Sequence, residues 1–175
     1  ARNGGVGYVL KPSHLRGPAP EKKPVAEAIP GAPVAPKKKS YELTVEVLVG
    51  QQIPHPDNII DASNEIIDPY VVLRLGGVAQ DMDDNPALQT KVVYDNGFNP
   101  EWDQKFRFTV TDLNVASISL TVVTKNRPVD RKIGEAVVHL RMLRLGYRTV
   151  PLVSCSDGSP LPAAALLCNF ALEER

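Results

Sequence analysis

Residues 41–50 read YELTVEVLVG. Leu43, Val45, Val47 and Val49 alternate with Thr44 and Glu46, a period of two that puts the apolar set on one face of a β-strand. The same texture recurs downstream. PYVVLRLGG at 69–77 stops at Gly76-Gly77, and QTKVVY at 89–94 runs into Asn96-Gly97, where both residues tolerate positive φ. KFRFTV at 105–110 places Phe106, Phe108 and Val110 inward and Lys105 and Arg107 outward. SISLTVV at 117–123 alternates Ile118, Leu120 and Val122, and IGEAVVHL, GYRTVPLV and AALLCNFAL follow. Eight short strands, separated by Gly, Pro, Asn and Asp turns and free of any long helical pattern, predict an all-β fold: an eight-stranded antiparallel β-sandwich.

Upstream of Tyr41 the texture changes. Residues 17–36, GPAPEKKPVAEAIPGAPVAP, hold six of the sixteen prolines, each of which removes a backbone donor and fixes φ. This stretch reads as a linker closed by Lys37, Lys38 and Lys39, so the chain divides into residues 1–16, a linker at 17–39 and the sandwich at 40–175.

The 175 residues suffice for one domain with a real core. Twenty basic and twenty acidic side chains give a formal net charge of zero, so no global field draws the protein to nucleic acid or membrane, and electrostatic attraction must be local. Cys155 and Cys168 form no CxxC pair and are expected as buried thiols of a reducing compartment. No apolar run approaches the ~20 residues that span a bilayer. ARNGGVGYVL at the start shows no secretory leader.

Motifs of catalysis are missing: no GxSxG, no GxxxxGK[ST], no HExxH. His14, His55 and His139 are scattered. DMDDN at 81–85 imitates the start of an EF-hand loop, but Pro86 stands at the glycine position and Val92 at the bidentate glutamate position, so a solvated acidic loop is expected.

Asp68-Pro69-Tyr70-Val71, Thr90-Lys91 and Asn99-Pro100-Glu101-Trp102, in this order and spacing, resemble the C2 domain, a calcium- and lipid-binding β-sandwich. NGGVGYVLKPSHLR at 3–16 resembles the end of the catalytic barrel of eukaryotic phosphoinositide-specific phospholipase C. VGQQIPHP, DNGFNPEWDQKF, LGYRTVPL and DGSPLPAAAL resemble that enzyme's C-terminal C2 domain, in its delta-like forms. The resemblance implies a parent that hydrolyses phosphatidylinositol 4,5-bisphosphate to diacylglycerol and inositol trisphosphate with barrel histidines and a catalytic calcium. Those residues would lie before Ala1, so no catalytic residue and no cofactor are expected in this piece. Implied too are a cytoplasmic, peripheral-membrane location, the chain's own barrel as partner, and a monomer.

The resemblance also gives meaning to VVTKNRPVDRKIG at 122–134, which holds Lys125, Arg127, Arg131 and Lys132 against one acid, Asp130. The family holds calcium at one end of the sandwich, between this loop and the loop after the first strand. Asp68 matches a family ligand position, with Asp57, Asp61 and Glu65 nearby, but the family's aspartates of the later loop fall at about Lys125, Arg127 and Arg131. Two unit charges ~5 Å apart interact by about 3 kcal/mol at an effective dielectric of 20. Exchanging attraction for repulsion predicts a degraded calcium site, with Asp68 a residual candidate. Two readings of the loop stand: calcium-free adsorption to anionic phospholipid, or a solvated turn paired with Asp57, Asp61 and Glu65. Arg74, Lys91, Lys105 and Arg107, placed on adjacent strands by the pattern, form a secondary candidate for headgroups, although alternation demands polar residues there anyway. The domain is thus expected either to target membranes or to buttress the barrel and bind protein partners.

Overall fold

The computed structural model describes residues 39–56, 66–125 and 128–175. The chain divides into two compact units, Ala1–Pro36 and Lys37–Arg175. The sandwich occupies the second; the expected barrel segment and residues 17–38 of the linker lie outside the described residues.

Eight strands form the domain: β1 (Tyr41–Gln51), β2 (Pro69–Gly76), β3 (Leu88–Gln89), β4 (Glu101–Val110), β5 (Ser117–Thr124), β6 (Arg131–His139), β7 (Gly146–Ser154) and β8 (Pro160–Glu174). Neighbours pair in the order β3-β2-β5-β6-β7-β8-β1-β4. Every ladder is antiparallel, as expected of a chain joined by short turns. β6 meets β7 only at Gly134↔Ser154 and Glu135↔Val153, and there the sheet folds back into two four-stranded layers. Gly134 permits the fold: a Cβ would stand 2.8 Å from Leu161 Cδ1 and 3.1 Å from the Val153 carbonyl oxygen. Alternation then aims Leu43, Val45, Val71, Leu73, Phe108, Ile118, Leu120, Leu166 and Phe170 into one core between the layers. The domain's ends meet away from the calcium-loop end of the family pattern. Tyr41 pairs with Glu174, and the Arg175 amide donates to the Ser40 carbonyl at 2.8 Å.

The structure departs from the sequence reading in several places. The alternation of β1 breaks between Val47 and Val49, where both of its ladders shift register. Val49 is therefore only half-buried and Gly50 is buried in its place. Gly50 is required there, since a Cβ would meet Pro100 Cγ at 2.9 Å and Trp102 Cη2 at 3.0 Å. The third strand is shorter than QTKVVY: only Leu88–Gln89 is in the ladder. Beyond it the Thr90 hydroxyl accepts from the Val71 amide at 2.9 Å and takes over the role of a backbone carbonyl.

The third departure is the acidic segment, which is not a solvated loop. Ala79–Asp84 forms the short helix α1, and Asp81 is buried. Its carboxylate accepts from the Thr111 amide at 2.9 Å and the Thr111 hydroxyl at 2.7 Å. Asn85 then pairs with Thr109 as an added rung, its Oδ1 accepting from the Thr109 amide and its Nδ2 donating to the Thr109 carbonyl, both at 2.8 Å. Asp81 and Asn85 thus cover the outer edge of β4, while Asp83 and Asp84 stay exposed. Both thiols are free; Cys168 is buried, which pushes its pKa up to about 12, whereas Cys155 is half-buried, contrary to expectation.

Candidate functional site

The described parts of three connections gather at one end of the sandwich: residues 52–56 and 66–68 after β1, 90–100 after β3, and 125 with 128–130 after β5. They are tied together by backbone. The Gln52 and Ile53 amides donate to the Phe98 and Gly97 carbonyls at 2.7 and 3.0 Å, and the Lys125 amide donates to the Asp68 carbonyl at 2.8 Å. Gly97 lies so close to Ile67 that a Cβ would be 2.5 Å from Ile67 Cγ1.

Asp68 is engaged at this junction. Its amide donates to Thr124 Oγ1 at 3.1 Å, and its Oδ1 accepts from the Asp95 amide at 2.9 Å, holding the middle loop where Asp95 turns with φ of 54°. Among the described residues no three His, Cys, Asp or Glu side chains are grouped to hold a metal ion. Asp57, Asp61, Glu65 and Arg127 lie outside the described residues, so their expected pairing does too.

Within the described part of the basic loop, the partner of Lys125 is Asp130, with Nζ 3.1 Å from Oδ2. The same oxygen accepts from the Tyr70 hydroxyl at 2.8 Å. Tyr70 is buried on β2, and burial first, then the bond to Asp130, pushes its pKa up to about 12. It is therefore a neutral donor throughout the physiological range. Arg131 and Lys132 are exposed as the first residues of β6, opposite Thr124 and Val123. The basic side chains share this end with a feature the sequence reading passed over. Ile66, Tyr94, Phe98 and Val129 are 55%, 69%, 67% and 71% exposed, at least one from each of the three loops. The available signal was Phe98, an aromatic placed inside an Asn-Gly…Asn-Pro turn where no strand could carry it inward.

The secondary basic candidates do not form one face. Arg74 lies on β2 and Lys105 and Arg107 on β4, in different layers, because β4 crosses over to pair with β1. Cross-strand acids answer the β4 pair: Lys105 Nζ is 3.2 Å from Glu46 and Arg107 Nε is 3.7 Å from Glu42. Lys91 sits at the seam between the layers, its amide donating to Gln104 Oε1 at 2.6 Å.

Glu46 is buried, and the Asn169 amide donating to it at 3.0 Å, followed by Lys105, lowers its pKa despite desolvation. A carboxylate whose pKa is depressed on folding adds stability above its unfolded value of about 4.5, and that stability is lost as pH falls through the folded value. Acid titration of the melting temperature should therefore fall less steeply below pH about 4.5 in Glu46→Gln than in the wild type. Coincident slopes would show that Glu46 carries none of the acid sensitivity.

At the opposite end a groove of about 830 Å³ opens between Tyr41, Leu113, Leu140, Leu143 and Leu172, with Lys39 and Arg141 at its rim. Met142 and Leu145 are exposed nearby. No helix among the described residues is long and apolar enough to cross a membrane.

Eight antiparallel strands folded back into a sandwich, with three connections gathered at one end, define the class of domain. The C2 domain family model matches residues 41–152, and the chain belongs to that family. Within the family, the chain is similar to phosphoinositide phospholipases C. It is 35% identical over 173 residues to human 1-phosphatidylinositol 4,5-bisphosphate phosphodiesterase delta-1, covering 98% of this chain and 21% of that protein. It is 34% identical over 176 residues to human Inactive phospholipase C-like protein 1, covering 99% of this chain and 15% of that one. The crystal structure of S. officinalis PLC21 shares the fold, with a TM-score of 0.65 at 22% identity over 80% of this chain and 16% of that chain. The chain thus spans about a fifth of the length of the delta-1 relative.

Proposed function

We propose that this chain is the C2 module of a delta-like phosphoinositide-specific phospholipase C, and that it associates with anionic membrane through its three-loop end without a calcium site of the usual kind. The observation that carries this reading is the coincidence of Lys125, Arg131 and Lys132 with exposed Ile66, Tyr94, Phe98 and Val129 on one end of the sandwich. Each cation near an anionic leaflet contributes about 1 kcal/mol. The apolar side chains add contact with the interface, where aromatic rings are favoured. Asp68, whose Oδ1 accepts from the Asp95 amide and whose carbonyl accepts from the Lys125 amide, supports the calcium-free part of the reading.

The parent enzyme in this reading hydrolyses phosphatidylinositol 4,5-bisphosphate to diacylglycerol and inositol trisphosphate. The catalytic groups and the catalytic calcium belong to its barrel, and the C2 module orients that barrel on the cytoplasmic leaflet as part of a monomeric peripheral protein. A second reading, a buttress that binds the barrel or protein partners, draws support from the apolar groove at the opposite end.

Sedimentation of the chain with phosphatidylserine vesicles, in calcium and in chelator across a salt series, tests the first reading. Equal binding in both, weakening as salt rises, is the expected result. Binding only with calcium would return Asp68 to the role of ligand, and no binding in either would favour the buttress.

A further inference from the structure

Building on the membrane reading, we infer that Asp130 is an internal counterion that restrains the tip's attraction for anionic lipid by holding Lys125 to the protein. Three observations carry this. Lys125 Nζ lies 3.1 Å from Asp130 Oδ2, so this cation, whose backbone joins the first and third loops, already has an anion. That anion is not a mobile surface acid: its side chain is only 26% exposed, and the same oxygen takes the Tyr70 hydroxyl at 2.8 Å. Tyr70 is itself fixed in β2, paired with Val123 of β5, and remains protonated far above neutral pH. The core therefore positions Asp130, and Asp130 positions Lys125.

An anionic headgroup approaching the tip must compete with this carboxylate. It gains less than the full attraction of Lys125 because the free protein already neutralises that charge, and because Asp130 repels the headgroup directly. Half-exposed ion pairs of this sort are weak, so the restraint is one that a lipid surface can overcome. The pair therefore sets how anionic a surface must be before the module adsorbs. Tyr70, which belongs to the Asp-Pro-Tyr-Val motif, acts as a positioning residue for that threshold.

The test uses the full chain with phosphatidylcholine vesicles, with and without phosphatidylserine, in chelator at fixed salt. Asp130→Asn keeps an oxygen to accept from Tyr70 and removes the charge. It is expected to tighten binding to the anionic vesicles about five-fold, the factor to which ~1 kcal/mol per surface charge corresponds. Asp83→Asn on exposed α1 makes the same change in net charge at the other end of the domain and should shift binding by much less. In a Lys125→Gln background the gain from Asp130→Asn should shrink. Binding by Asp130→Asn where the wild type does not bind would show the ion pair silencing the tip, and would support the inference. If the wild type binds but Asp130→Asn leaves affinity unchanged, or Asp83→Asn matches it, the inference fails while the membrane reading stands. If neither wild type nor Asp130→Asn binds, the membrane reading itself falls.

Discussion

Replacing Trp102 with alanine is expected to destabilise the sandwich by about 3–5 kcal/mol, the range for removing a large aromatic side chain from a core. Trp102 is 1% exposed and the largest fully buried side chain described. It lies on β4 two residues after Pro100, and its ring packs over Gly50 at the bulge of β1, where any Cβ would collide with it. One wall of the gap left by alanine is the Gly50 backbone beside Pro100, which offers no side chain able to swing into it, so the loss should fall near the upper end of the range. The indole Nε1 is buried without a hydrogen-bond partner. Trp102→Phe should therefore cost clearly less than alanine, because it keeps much of the ring and removes a polar group that burial penalises. Urea midpoints of the two variants decide the matter; an alanine cost below about 2 kcal/mol would mean that the β1 bulge relaxes into the space.

Asp81→Ala should cost about 3 kcal/mol. The carboxylate takes two hydrogen bonds from Thr111, each of the charge-assisted kind worth about 1.5–3 kcal/mol, and alanine strands both donors. The damage should be local. Faster hydrogen exchange at the Thr109 and Thr111 amides would register the loosening of α1 from β4. Asp81→Asn, which retains one acceptor, should recover part of the loss. Vesicle binding should not change, since α1 lies at the end away from the three loops. Equal stability of Asp81→Ala and the wild type would show that Thr111 finds other partners.

Much of the sandwich was legible because burial on one face imposes a period of two that survives in Leu43, Val45 and Val47, in Phe108 and Val110, and in Ile118, Leu120 and Val122. Gly50 was not, because a bulge changes phase through hydrogen-bond geometry without changing composition. Asp81 was misjudged for a related reason. An acid-rich run reads as solvated until the partner that buries it is known, and Thr111 is thirty residues away. At the tip, the basic character of the loop was visible, whereas the choice of Asp130 as partner of Lys125 depended on Tyr70 of another strand. The supposed basic face failed because β4 leaves β2's layer, a crossover that local pattern does not encode.

The meeting of Ser40 with Arg175 bears on how the domain can be handled. β1 runs its eleven residues from this junction to the three-loop end, a separation of about 35 Å at the rise of an extended strand. A fluorescent label, affinity handle or surface tether fused after Arg175 therefore hangs from the pole remote from the loops. Immobilised in that way, the module presents its three-loop pole outward.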